Sequence, residues 1–128
     1  MGIEIKNFGS VRDLTVNGAV YKGGDIETLY KGMNVLYRFR HSSVAKYEEK
    51  VTWEELSDIL FEDDIRSGDA FFMATEGFEK YVQREELLID YVKSASAQEW
   101  LSYLLTRIGL RLKEGDESYS ALAIFIEE

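Results

Sequence analysis

The chain has 128 residues, of which 45% are hydrophobic and 13% aromatic, enough for a packed core in one domain of ordinary size. Its 24 acidic residues outnumber 15 basic ones, and the formal charge of -9 argues against nucleic acid or an anionic membrane surface as a partner. With no cysteine, disulfides, thiolate chemistry and Cys-based zinc sites are all excluded.

Proline is absent, and no repeat or low-complexity tract divides the chain, so residues 1–128 are expected to form a single domain. No apolar run approaches the roughly 18 to 20 residues that span a bilayer. The opening MGIEIK shows neither a signal-peptide pattern nor the spacing of a myristoylation site. The expectation is a soluble, cytoplasmic protein.

Residues 1–50 read as a meander of short strands, IEIKNFG, VRDLTVNG, AVYKGGD, IETLYKG and MNVLYRF, separated by turn signals. The pair Asn17-Gly18 is the strongest of these, because both residues tolerate the positive φ of a tight hairpin turn. Gly23-Gly24-Asp25 and Lys31-Gly32 punctuate the next two segments. In the basic stretch that follows, Arg38, Arg40 and Lys46 read as counter-charges on an acidic protein, and His41 as a surface residue.

Residues 51–128 read as helix, strand, helix, helix, strand. Thr52 and Glu55 form a capping box ahead of Trp53, Leu56, Ile59 and Leu60, which share a face of a helix ending near Phe61. Glu62, Asp63 and Asp64 then solvate a loop. After the turn RSGD, the continuous apolar run at residues 70–74 has the character of a central strand covered on both faces. A helix from about Arg84 to Lys93 turns Leu87, Leu88, Tyr91 and Val92 inward. Ser96 and Glu99 cap another, whose stripe is Trp100, Leu101, Leu104, Leu105 and Ile108. YSALAIFIEE is a last buried strand. Phe71, Phe72 and Trp100 belong to the core. This order of elements gives an α+β fold, an antiparallel sheet with two to three helices packed on it.

Two stretches, RSGDAFFMATEGFEKYVQREEL and GDESYSALAIFIEE, with the helix between them, resemble the C-terminal half of the metal-dependent type 2C protein Ser/Thr phosphatases. There an apolar strand ends in Thr-Asp-Gly, and a last strand is entered through Asp-Asn. Near the start, Asn7, Gly9 and Arg12 are similar to the family's Asn-x-Gly-Asp-Ser-Arg motif, with Ser10 at the aspartate; a rival register places GGDIETLYKG there and keeps Asp25. The resemblance implies a half or reduced form of the family's β-sandwich.

The family's chemistry is hydrolysis by Mg²⁺ or Mn²⁺ ions held by aspartates. At those positions this sequence has Thr75-Glu76-Gly77 and Glu117-Ser118, or Asp116-Glu117 with a shift of one. A glutamate displaces its carboxylate by about one bond length, where Mg²⁺ geometry tolerates only tenths of an ångström. The family's N-terminal Asp-Gly motif and substrate-binding arginine have no counterpart.

The resemblance therefore implies a degenerate, non-catalytic domain that binds or regulates and needs no cofactor. Part of a Mg²⁺- or Mn²⁺-dependent phosphatase stays open beside it, with Glu76, Gly77, Asp116 and Glu117 as the metal group and the missing ligands supplied by another chain or region. An unrelated α+β interaction domain stays open too. Half a sandwich implies an uncovered sheet face or edge, hence a protein partner or a second copy that covers it.

Overall fold

The computed structural model describes residues 2–21, 33–40, 43–47, 58, 65–75, 78, 80–111 and 120–128, with the side chains of 33–36 and 43–47 left aside. The strands are β1 (Ile3–Val11), β2 (Leu14–Tyr21), β3 (Met33–Arg40), β4 (Ser43–Tyr47), β5 (Ala70–Thr75) and β6 (Ala121–Glu127). Two helices, α1 (Arg84–Val92) and α2 (Ala97–Gly109), lie between β5 and β6 in sequence. The expected helix at Thr52 to Phe61 falls outside the described residues apart from Asp58, which is helical.

The six strands form one antiparallel sheet in the order β1-β2-β6-β5-β3-β4. This corrects the meander, since β2 pairs with β6 and not with β3. The physical reason lies in β5 and β6, whose residues are apolar on both faces. Such strands gain most from the middle of a sheet, and the two hairpins β1-β2 and β3-β4 flank them.

Side-chain alternation sorts the core. On the helix side the sheet presents Ala19, Ala70, Ala74, Ala121 and Ala123 beside Phe39 and Phe72. These small residues leave room for Trp100, which is completely buried and meets Phe39 edge-on at 5.1 Å and Phe72 at 5.5 Å. Its indole N–H donates to the Leu87 carbonyl at 3.2 Å, tying α2 to α1. The opposite face carries the larger Val16, Val20, Phe71, Met73, Leu122, Ile124 and Ile126, all buried within this chain. At these positions the uncovered face implied by half a sandwich is not found.

The caps follow the sequence signals. Ser96 Oγ accepts from the Glu99 N–H at 3.1 Å, while the Glu99 carboxylate reaches back to the Ala95 N–H, one residue earlier than in the standard box. On α1, Leu87 is buried and Leu88 and Tyr91 are half-buried, but Val92 is 66% exposed, a correction to its inward assignment. The helix is rolled so that Asp90, fully buried, faces Arg107 of α2.

Asn17-Gly18 is not a turn but the middle of β2, and the hairpin turns instead at Arg12-Asp13, with Arg12 at φ 56°. Asn17 donates its side-chain amide to Glu127 at 2.6 Å. At Gly18 a β-carbon would strike the Phe8 ring and approach the Ala123 carbonyl oxygen to 3.1 Å, so the glycine provides cross-strand space rather than a turn. Gly18→Ala is expected to destabilise the fold by about 1–3 kcal/mol, the usual cost of overpacking, as a lower urea midpoint at unchanged slope.

Candidate functional site

The strand ends define two ends of the sheet. At one, β5 finishes with Thr75 and β6 follows directly after Ser120. The Thr75 N–H donates to the Ser120 carbonyl at 3.0 Å, and the Ser120 N–H donates to Thr75 Oγ1 at 3.0 Å. The ends of β2 and β3 lie in the same rows, since Tyr21 pairs with Ala121 and Met33 with Thr75.

The predicted metal group, Glu76, Gly77, Asp116 and Glu117, lies outside the described residues, as do His41 and the acidic run Glu62, Asp63 and Asp64. What the structure does fix is the joint between their chain neighbours. Glu76 follows Thr75 directly, and Asp116 and Glu117 precede Ser120 by four and three residues. Among the described residues, no group of three or more His, Asp or Glu side chains is placed to hold a metal ion.

Asn7, Gly9, Ser10 and Arg12 belong to the other end. Asn7 pairs with Asn17, Asn17 with Phe125 and Phe125 with Ala70, so this row is five residues of β5 from Thr75, roughly 17 Å at the strand rise. The first N-terminal register of the family motif is therefore remote from the Thr75–Ser120 joint. Asp25, in the rival register, lies outside the described residues, between Tyr21 and Met33, which both sit in the joint's rows.

The far end is organised by Asp69, which is only 2% exposed. It stands just before β5, after the turn in which Gly68 adopts φ 91°, a left-handed conformation suited to glycine. Arg40 donates to both carboxylate oxygens, at 2.8 and 2.6 Å, Arg38 reaches one at 3.4 Å, and the Arg66 N–H donates at 3.1 Å. Burial by itself would raise the Asp69 carboxyl, but the Arg40 guanidinium, the Arg66 N–H and Arg38 together hold it below its ordinary value. The expectation that Arg38 and Arg40 serve as counter-charges is met by a particular acid, which sequence reading placed only in a turn. An open cleft of about 710 Å³ adjoins this end, lined by Gly68, Asp69, Tyr91, Val92, Phe125 and Glu128 among others. The Tyr91 hydroxyl donates to the Gly68 carbonyl at 2.5 Å, joining α1 to the turn.

A second charged cluster locks the helices. Arg107 donates to Asp90 at 2.6 and 3.0 Å and to Glu86 at 2.8 Å, and Arg111 adds two bonds to Glu86. The Arg111 hydrogen bonds, with the Gln83 N–H and the nearby arginine charges, outweigh desolvation and bring Glu86 down to about 2. The geometry marks both clusters as structural, since each acid is directed at arginines of a neighbouring element rather than into open space.

Two outcomes follow. Asp69→Ala leaves two largely desolvated guanidinium groups without their shared acid, and a loss of about 3 kcal/mol in urea unfolding is expected. For Glu86 the folded value lies below the ordinary 4.5, so its stabilisation is complete above that pH and is lost as pH falls from about 4.5 to about 2. Wild-type melting temperature should therefore drop more steeply over this interval than that of Glu86→Gln, the two curves converging near pH 2.

No protein-family model and no curated protein matches the sequence. Solved structures do match the fold. PppA of Pseudomonas aeruginosa, a key regulatory component of T6SS, aligns with a TM-score of 0.53 at 15% identity over 87% of this chain and 53% of its own. The serine/threonine phosphatase PstP of Mycobacterium tuberculosis gives 0.53 at 15% identity over 88% of this chain and 56% of its own. The catalytic domain of PstP in complex with two manganese ions gives 0.51 at 14% identity over 88% and 54%. The chain thus spans about half the length of the structures it matches. With its sheet order, its two helices between β5 and β6 and these likenesses together, the chain has the fold of the PP2C-type Ser/Thr phosphatases, in a reduced form.

Proposed function

We propose that this chain is a phosphatase-like domain that binds and regulates rather than catalyses. The observation that carries the reading is the Thr75–Ser120 joint together with the residues next to it in sequence. In the sequence, Glu76 directly follows Thr75 and Glu117 stands three residues before Ser120, where the resemblance calls for aspartates. Oxygen donors of this kind suit a hard cation in their chemistry, yet two lengthened side chains do not reproduce an aspartate-bridged pair. The donor set does not fit the family's metal pair, so no hydrolytic step is assigned to this chain. Its work then falls to its surface, with a protein as the partner.

One observation favours a second reading. Thr75, which directly precedes Glu76, meets Ser120, three residues after Glu117, at one end of the sheet, as even a single shared cation would require. In that reading the chain is part of a Mg²⁺- or Mn²⁺-dependent phosphatase completed by another chain or region, and the manganese-bound PstP domain is the relevant likeness.

Titration calorimetry of Mn²⁺ and Mg²⁺ into the chain and into a Glu76→Ala, Glu117→Ala double variant separates the two. The binding module predicts the same weak, unsaturated heats from both proteins up to about millimolar cation. Saturable binding tighter than that, abolished in the double variant, overturns it in favour of the phosphatase.

A further inference from the structure

We infer that two copies of this chain pair through β1, joining their sheets edge to edge about a two-fold axis that passes beside Ile5. The inference is independent of whether the domain binds a metal.

Among the described residues, β1 is an end strand of the sheet, with β2 as its neighbour on one side only. Its register against β2 is regular from Ile3 to Asn7 and then breaks at a bulge before Ser10. A strand that adds to this edge therefore has five regular residues to follow, and Ile5 is their midpoint. Ile5 is also the large apolar side chain of this strand that remains outside the core, at 70% exposure.

Antiparallel pairing of β1 with itself, centred on that midpoint, sets Ile5 against the partner's Ile5 and Ile3 against the partner's Asn7. It also sets Glu4 against the partner's Lys6, and by symmetry Lys6 against the partner's Glu4. Residues directly opposite share a face. Glu4 and Lys6 lie on the side of Val20 and Gly18, their partners in β2, and Ile5 lies on the side of Ala19. The two isoleucines thus meet on the helix side and the two ion pairs form on the other. Charges on an edge strand ordinarily discourage addition of another strand, because a random register leaves them unmatched or opposed. Here the register that uses the whole regular stretch is the one in which both charges find opposites and the exposed isoleucines cover each other.

The test exploits the crossed geometry. Sedimentation of the wild-type chain from micromolar to about millimolar concentration should show a reversible monomer–dimer equilibrium. Glu4→Lys places lysines opposite lysines, and Lys6→Glu places glutamates opposite glutamates, so each variant alone should dimerise at least about tenfold more weakly. An equimolar mixture of the two restores opposite charges at both contacts and should form a heterodimer of wild-type strength. An ion pair between Glu4 and Lys6 within one chain cannot produce that rescue by mixing. Far-UV circular dichroism confirms that the variants fold, and Ile5→Lys serves as an independent disruption of the same axis. A monomeric wild type would leave the edge to another protein's strand and overturn the inference. Dimers that survive the single charge reversals, or variants that fail to combine, would also overturn it, by placing the contact elsewhere.

Discussion

The helix layer hangs on one packing contact, the Trp100 ring against the alanine-lined face of the sheet. An indole needs a pocket deep enough to take it from water completely, and Ala19, Ala70, Ala74, Ala121 and Ala123 supply that depth on a surface otherwise built of larger residues. Phe39, Phe72, Tyr91 and Phe125 surround the ring at centroid distances of 5.1 to 5.7 Å, within the range of favourable aromatic pairs. Because Tyr91 comes from α1 and Trp100 from α2, the same cluster positions both helices. The opposite face, where Leu122, Ile124, Ile126, Phe71 and Met73 take the alternate positions, has a core of its own.

Around this apolar centre, two buried acids set the angles between elements. Asp69 gathers arginines from β3 onto the turn that starts β5, and Asp90 with Glu86 gathers Arg107 of α2 and Arg111 just beyond it onto α1. The structure commits four arginines to such pairings. A desolvated carboxylate is costly unless several donors converge on it, so these clusters favour one arrangement of helices and strands over near alternatives. The displacement of Val92 to the surface is a direct result, since turning Asp90 toward Arg107 rolls the helix away from its purely apolar stripe.

The phosphatase likeness is a likeness of fold. The order of this sheet follows from burying β5 and β6 on both faces, whereas a metal pair needs particular carboxylates at particular lengths. The Thr75–Ser120 joint belongs to the first requirement, and Glu76 and Glu117, which bear on the second, lie outside the described residues.

By itself the sequence determined the elements whose signals are local. The unbroken apolar runs at residues 70–74 and 121–126 had to be strands covered on both faces. The Ser96 cap and the spacing from Trp100 to Ile108 had to be an amphipathic helix. The Thr-x-Gly exit of the first of these strands and the acidic entry to the last were enough to point to the phosphatase fold. Other features depended on partners distant in the chain. The order of the strands was decided by which edges the central pair left open, and Asn17-Gly18 became strand interior because Phe8 required its missing side chain. Asp69 read only as part of a turn and Asp90 carried no signal of its own, yet arginines 29 residues before the one and 17 residues after the other close on them. Only the tertiary structure could decide these, because the energy of a buried charge or a filled cleft belongs to the pair and not to either residue alone.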